Sequence, residues 1–323
     1  MVASRKLKNL MLAVALSGAA LVAHSDEAKP LRILVGFVPG GTSDTVARML
    51  ADELRTTLKR TVLVENRPGA GGRIAAEQLK AARADGSTYL FSPDSWAVFP
   101  TLLVPEETLR YNYLVDMAPV ARVISYPLGL YASNAAGVKD LQSFVARAKA
   151  DPGMRMFASA GAGSITEFLG VVMSREFGVD MTVVPYKGAA EVKTALLGNQ
   201  AMIGIMAPGE VLKHVGSGIS PLGFMSKKRW SVAPDIPTME EQGFKVVQGE
   251  AFMALWASSK VSKAERDVME DAVRRVLQKP EFRKRLERAS VAPDFADAAE
   301  LDKQVRDLLA FWGPLLKESG YKR

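Results

Sequence analysis

The sequence has no cysteine and only two histidines, His24 and His214. Without cysteine there is no disulfide, no thiolate metal site and no lipid-modified N-terminal cysteine, so the folded chain must rest on its core alone. The shortage of histidine is as restrictive. His24 falls in a segment that reads as a removable signal, and His214, in Glu210-Val-Leu-Lys-His-Val, reads as a surface or packing residue of a helix. A Ser-His-Asp triad or a His-rich metal centre therefore has nothing to build on, and no catalytic residue, metal or cofactor is expected. Long apolar runs are missing too. The longest, Leu10–Ala23, is shorter than the roughly 20 residues that span a bilayer.

That run follows Arg5, Lys6 and Lys8 and is followed by Ala23-His24-Ser25, the layout of an export signal. Residues 1–25 are expected to be removed near Ser25, leaving a soluble, monomeric protein in the periplasm, long enough for two domains of ordinary size. The formal net charge of +7 says little about partners. Three basic residues leave with the signal, and the others alternate with acids, as in Glu265–Arg288, which is the pattern of a solvated helix face. No basic stripe is interleaved with aromatics, so nucleic acid is not an expected partner.

What is present is organised around Leu31–Asp44, Leu-Arg-Ile-Leu-Val-Gly-Phe-Val-Pro-Gly-Gly-Thr-Ser-Asp. Ile33–Val38 reads as a buried strand stopped by Pro39. Gly40 and Gly41 permit a tight turn that a Cβ would resist. From Thr42 an amphipathic helix carries Val46, Met49, Leu50, Leu54 and Leu58 on one face. A strand, a glycine turn and a helix N-terminus leave free N–H groups suited to an anion. One such loop can equally be a plain connection between strand and helix. Two more of the same kind, Arg67-Pro-Gly-Ala-Gly-Gly72 and Ala160-Gly-Ala-Gly-Ser164, argue for a site.

Along the chain, strand signals at Thr61–Glu65, Thr88–Phe91, Ala118–Ile124, Arg155–Ser159, Thr182–Pro185, Ile203–Met206 and Leu222–Met225 alternate with helical patterns. Val246–Trp256 reads as a long extended stretch that could carry the chain between domains, and Lys263–Leu316 as helical except at Pro280 and near Pro293. The alternation implies an α/β fold with parallel sheets, and the length implies two of them. All three glycine loops lie at strand C-ends, where ligands of open α/β sheets bind.

None of the loops is a nucleotide motif. Gly69-Ala-Gly71-Gly-Arg-Ile74 has Ile where the dinucleotide fingerprint needs its third glycine, and Gly36-Phe-Val-Pro-Gly-Gly41-Thr42 lacks the P-loop lysine. Gly161-Ala-Gly163-Ser164 lacks the order of a nucleophile elbow, and no histidine is available to activate its serine. Backbone N–H clusters without a catalytic base fit binding better than turnover.

The ordered motifs Val38-Pro-Gly-Gly-Thr-Ser-Asp44, Val64-Glu-Asn-Arg-Pro-Gly-Ala-Gly-Gly72, Asp85-Gly86, Ala158-Ser-Ala-Gly-Ala-Gly-Ser164, Val184-Pro-Tyr-Lys-Gly188 and Pro234-Asp-Ile-Pro-Thr238 resemble the Bug family, the extracytoplasmic solute receptors of tripartite tricarboxylate transporters. The likeness covers nearly all of the mature chain. It implies a type II periplasmic-binding-protein fold, two α/β domains joined by two crossover strands near Ile124–Pro127 and Val246–Ala251. The domains would comprise 26–125 with 250–323, and 126–249. It also implies that backbone groups and ordered water hold one carboxylate of the ligand. Carried over by position, the clamp would use Pro39, Gly40, Gly41, Thr42 and Asp44, then Gly69, Ala70, Gly71 and Gly72. Ser92 and Ser95 would join from the third strand end, and Ser159, Gly161, Gly163 and Ser164 from the other domain.

The sequence departs from the family pattern in the distal part of the pocket. Met206 and Ala207 stand where an acid or amide is frequent, Asp94 where glycine is common, Arg73 where asparagine is common, and Phe252 where tryptophan is usual. With Met206 on the ligand and Trp96, Phe99, Tyr126 and Phe252 adding apolar surface, the expected ligand is a carboxylate with an apolar or aromatic body, or a plain dicarboxylate, rather than an α-amino acid. Asp94, if it turned inward, would reverse that expectation. The implied function is capture of a small organic carboxylate by domain closure and delivery to membrane permease subunits. Presentation of the ligand to a membrane sensor kinase is the alternative, and an exported enzyme on the same fold is disfavoured by the missing histidine.

Overall fold

A computed structural model describes residues 29–319 except 106, 162–163 and 246–248. The signal segment, Gly163 and the start of the Val246–Trp256 stretch lie outside the described residues. Among the described residues no helix is long and apolar enough to cross a membrane.

The chain first lays down β1 (Leu31–Val35), α1 (Thr42–Leu58), β2 (Val62–Asn66), α2 (Arg73–Ala81), β3 (Thr88–Pro93), α3 (Ser95–Leu103), α4 (Tyr113–Asp116) and β4 (Met117–Pro127). It continues through β5 (Gly129–Ser133), α5 (Leu141–Ala150), β6 (Met156–Ser159), α6 (Ile165–Phe177), β7 (Thr182–Pro185), α7 (Ala189–Leu197), β8 (Ile203–Met206), α8 (Pro208–Val211) and β9 (Ile219–Phe224). It ends with β10 (Glu250–Ser258), α9 (Lys263–Leu277), α10 (Pro280–Arg288), β11 (Ala292–Ala296) and α11 (Ala298–Ser319).

Two sheets result, a six-stranded one ordered β11-β4-β10-β3-β1-β2 and a five-stranded one ordered β7-β6-β8-β5-β9. The chain leaves the first sheet at Leu128 and re-enters it after Gly249. These two points are tied together: the Leu128 N–H donates to the Gly249 carbonyl at 2.6 Å, and Met225 links both.

The sheets are mixed, which corrects the all-parallel expectation. β1 is parallel to β2 and β3, but β10 runs antiparallel to β3 and β4. In the second sheet β6 is parallel to β7 and β8, while β5 is antiparallel to β8 and β9. Short apolar runs such as Ile203–Met206 look alike whichever way their neighbours run, because burial on both faces removes the alternation. The break near Pro293 is also not a simple helix interruption. It is the edge strand β11, paired antiparallel with β4, and an edge is where a sheet tolerates proline.

Core packing fixes the strand ends. All of β3 is buried, as are Val46, Leu50 and Leu54 of α1. Trp96 of α3 meets Trp256 of β10 edge to face at 5.2 Å and Tyr113 at 5.5 Å, so the start of α3 is anchored to the sheet beneath it. Between the two lobes, Phe168 of α6 packs on Phe99 of α3 at 6.3 Å and on Trp312 of α11 at 5.7 Å.

Candidate functional site

The glycine turn forms as the sequence suggests, except that β1 stops at Val35, short of the Val38 expected, and that only one of its two glycines is left-handed. Gly40 has φ +86, the left-handed region that favours glycine. Gly41 is extended at φ −78, ψ 174 and acts as the N-cap of α1, so its own backbone is unstrained. What Gly41 lacks is a side chain: a Cβ there would come within 3.3 Å of a Glu210 carboxylate oxygen.

A cavity of about 140 Å³ lies between the lobes. Four helices of nine residues or more begin on its wall with no cap from their own N-cap side chain. Gly41, Thr42 and Ser43 belong to the start of α1, Ala70, Gly71 and Arg73 to that of α2, Asp94 and Ser95 to that of α3, and Gly188, Ala189 and Ala190 to that of α7. At none of these four starts does the N-cap residue's own side chain cap the helix, although the first N–H of α1 donates to Glu210. By contrast α6, whose start also lines the cavity, is capped by Ser164, and α5 and α9 away from it by Asp140 and Ser262. The missing caps leave N–H groups and the positive ends of the helix dipoles facing one cavity. The second loop adds a run of positive φ at Gly69, Ala70, Gly71 and Gly72, which turns successive N–H groups to one side.

Of the residues carried over by position, Gly41, Thr42, Ala70, Gly71, Ser95, Ser164 and Met206 line the cavity. The other described residues of that set lie off the wall. Pro39, Gly69 and Gly161 are off the wall, and Gly40 opens instead on a second cavity between Arg285, Arg288 and Lys213. Asp44 is buried and turned into its own loop, where its carboxylate accepts from the Gly40 N–H, Asn66 Nδ2 and the Arg48 guanidinium. Burial pushes the Asp44 pKa up, but Arg48, Gly40 and Asn66 together hold it below the usual range. Its role is to pin the glycine turn. Gly72, Ser92 and Ser159 are buried behind the wall, and Gly72 serves by close packing: a Cβ on Gly36 would sit 2.6 Å from its Cα. The Ser164 hydroxyl is already spent, donating to the Gly161 carbonyl at 2.6 Å and capping α6 at the Glu167 N–H. Its loss would cost helix stability of about 1 kcal/mol before it cost a ligand bond.

The aromatic surface expected of Trp96, Phe99 and Phe252 is core and does not line the cavity; of the four named, Tyr126 does. The acid expected to be missing beside Met206 is present in another form. Glu210 of α8, in the second lobe, is buried and accepts from the Thr42 N–H at 2.6 Å. It thus meets the first N–H of α1 across the seam. Nothing in the local pattern of Glu210 points to this, because its partner lies 168 residues away. Beside it, a Cβ on Gly209 would lie 2.8 Å from Thr42 Oγ1 and 2.9 Å from the Ala289 carbonyl, so the lobes touch here backbone to side chain.

Asp94 also lines the cavity while only 4% exposed. Burial pushes its carboxyl up to about 7, against the pull of the N–H groups of Phe252, Ser95 and Asp94 itself. No nucleophile is paired with a base here, and among the described residues no cluster of His, Cys, Asp and Glu could hold a metal.

Three comparisons bear on this arrangement. The family model described as tripartite tricarboxylate transporter family receptor matches residues 46–321. Protein BugT of Bordetella pertussis is 29% identical over 323 residues, which cover 99% of this chain and 98% of BugT. Among solved structures, the periplasmic binding protein BugD superposes with a TM-score of 0.83 at 27% identity, over 91% of this chain and 98% of BugD. MatC from Rhodopseudomonas palustris, solved with bound malate, gives 0.82 at 25% identity, over 90% of this chain and 99% of MatC.

Proposed function

This chain belongs to the tripartite tricarboxylate transporter receptor family, and from that premise we propose that it is a periplasmic receptor that closes two lobes on a small organic carboxylate and delivers it to separate permease subunits in the membrane. One observation carries the reading: the N-termini of four helices whose N-cap residues supply no capping side chain, three from the first lobe and one from the second, begin on the wall of the same cavity. N–H groups in that arrangement hold a carboxylate directly or through water. The bound malate of MatC is the kind of ligand such a wall suits.

The two lobes would be 26–125 with 250–323, and 126–249, turning about the tied strands at Leu128 and Gly249. Closure would bring Gly188–Ala190 of the second lobe towards Gly41–Ser43 and Ala70–Gly71 of the first. The Gly209–Thr42 seam and the Phe168–Phe99–Trp312 contact are the surfaces that meet. The reading is of a receptor and not an enzyme, because the cavity wall offers no histidine and no activated nucleophile.

Native mass spectrometry of the protein purified without denaturation tests this reading. The expected result is a one-to-one adduct whose released mass is that of a small carboxylic acid. A co-purifying sugar, nucleotide or peptide would overturn it.

A further inference from the structure

Asp94 has a carboxyl group that the chain leaves partly unused. It sits between β3 and α3 on the cavity wall, nine-tenths or more buried, and its Oδ1 has no hydrogen-bond partner among the described residues. A buried polar atom without a partner is costly, and native structures keep few of them. Asp94 lines the ligand cavity and its enclosed Oδ1 is without a partner, so a donor that enters with the ligand is the partner this acid lacks.

The charges around Asp94 decide what that partner is. Tyr126 of β4 lies close enough to feel both Asp94 and Glu210 of α8, and burial together with the two acids keeps its hydroxyl neutral. Arg73 and Lys187 line the same cavity, but neither pairs with Asp94. Arg73 Nε donates to the Ala70 carbonyl, and no basic group counters the rise in the Asp94 pKa. A ligand carboxylate placed here would face two acids. An ammonium would be paired by them, and in a dry site that difference is large.

Building on the carboxylate-receptor reading, we propose that the ligand is an amino carboxylate whose carboxylate rests on the helix starts of the cavity wall and whose protonated amine rests on Asp94. This reverses the expectation drawn from Met206: Glu210 is engaged by the Thr42 N–H, and Asp94 of the first lobe supplies the acid that faces the amine. Such a site would discriminate by charge at a single substituent, since an analogue without the amine leaves Asp94 buried and unpaired.

Matched pairs of acids test the proposal: aspartate with succinate and malate, glutamate with glutarate, and phenylalanine with 3-phenylpropanoate. Each is titrated calorimetrically into the wild-type protein and Asp94→Asn at pH 6 and pH 8. Wild type should bind the amine member of its preferred pair at least tenfold more tightly than the deaminated member at pH 8. That advantage should shrink at pH 6, because Asp94 takes up a proton near pH 7 while the ligand amine stays protonated. Asp94→Asn should abolish the advantage at both pH values, weakening the amine member and, at pH 8, tightening the deaminated one. Deaminated acids binding wild type as tightly as their amine partners, or an advantage that survives Asp94→Asn, would overturn the proposal while leaving the carboxylate reading intact. Binding of none of these acids would sink the carboxylate reading itself. The wild-type pairs and their pH dependence decide even if the variant fails to fold.

Discussion

Gly209→Ala is expected to weaken ligand binding by roughly five- to 150-fold while leaving the melting temperature of the ligand-free protein almost unchanged. The added Cβ would meet Thr42 Oγ1 at 2.8 Å and the backbone carbonyl of Ala289 at 2.9 Å. Both are nearer than carbon atoms normally approach, and the second is backbone and cannot swing aside. Overpacking of this kind costs about 1–3 kcal/mol. A two-lobed protein escapes the cost by standing open, so the strain falls on closure and not on folding. Set against closure, it appears as reduced apparent affinity of the size stated. Calorimetric titration with the acid identified by mass spectrometry, alongside a thermal melt, checks both halves. Wild-type affinity in Gly209→Ala would show that this seam is not part of the ligand-bound form.

Gly36→Ala should act on both affinity and stability. Its Cβ would lie 2.6 Å from the Gly72 Cα and 3.3 Å from the Gly72 carbonyl oxygen, again backbone. Gly72 cannot retreat easily, since it is held at φ +96 and is itself packed against the Trp96 Cβ. The 69–72 loop would have to lift from β1, taking Ala70 and Gly71 out of the cavity wall. This clash lies within one lobe, so opening does not relieve it, and a stability loss of about 1–3 kcal/mol is expected with the loss of binding. Denaturant unfolding and calorimetry together separate this behaviour from that of Gly209→Ala. A destabilised Gly36→Ala with wild-type affinity would remove the second loop from the site.

These glycines show what local sequence carries. Gly40 and the start of α1 were readable, because a turn and a helix start leave their mark within a dozen residues, whereas the close packing of Gly36 on Gly72 was not. The helix starts at Thr42, Ile165 and Ala189 fall at or within one residue of where pattern places them. Gly209, Glu210 and the burial of Trp96 and Phe99 were not readable, since each depends on contacts between distant parts of the chain. The direction of β5 and β10 in their sheets was hidden for the same reason, and β11 was masked by Pro293 and Asp294 in a five-residue strand. Asp94 lay between. Its departure from the family pattern marked it, but only the structure shows that it lines the cavity. Asp44 misled in the opposite direction: an acid beside the glycine turn suggests a ligand contact, yet Gly40, Asn66 and Arg48 already occupy it.

Closure on a small acid is most directly read by small-angle X-ray scattering of the purified protein, stripped of ligand and then saturated with the acid that mass spectrometry identifies. The radius of gyration should fall on saturation in wild type, and fall less or not at all in Gly209→Ala at the same ligand concentration. Equal radii with and without saturating ligand in wild type would contradict a receptor that closes around its ligand.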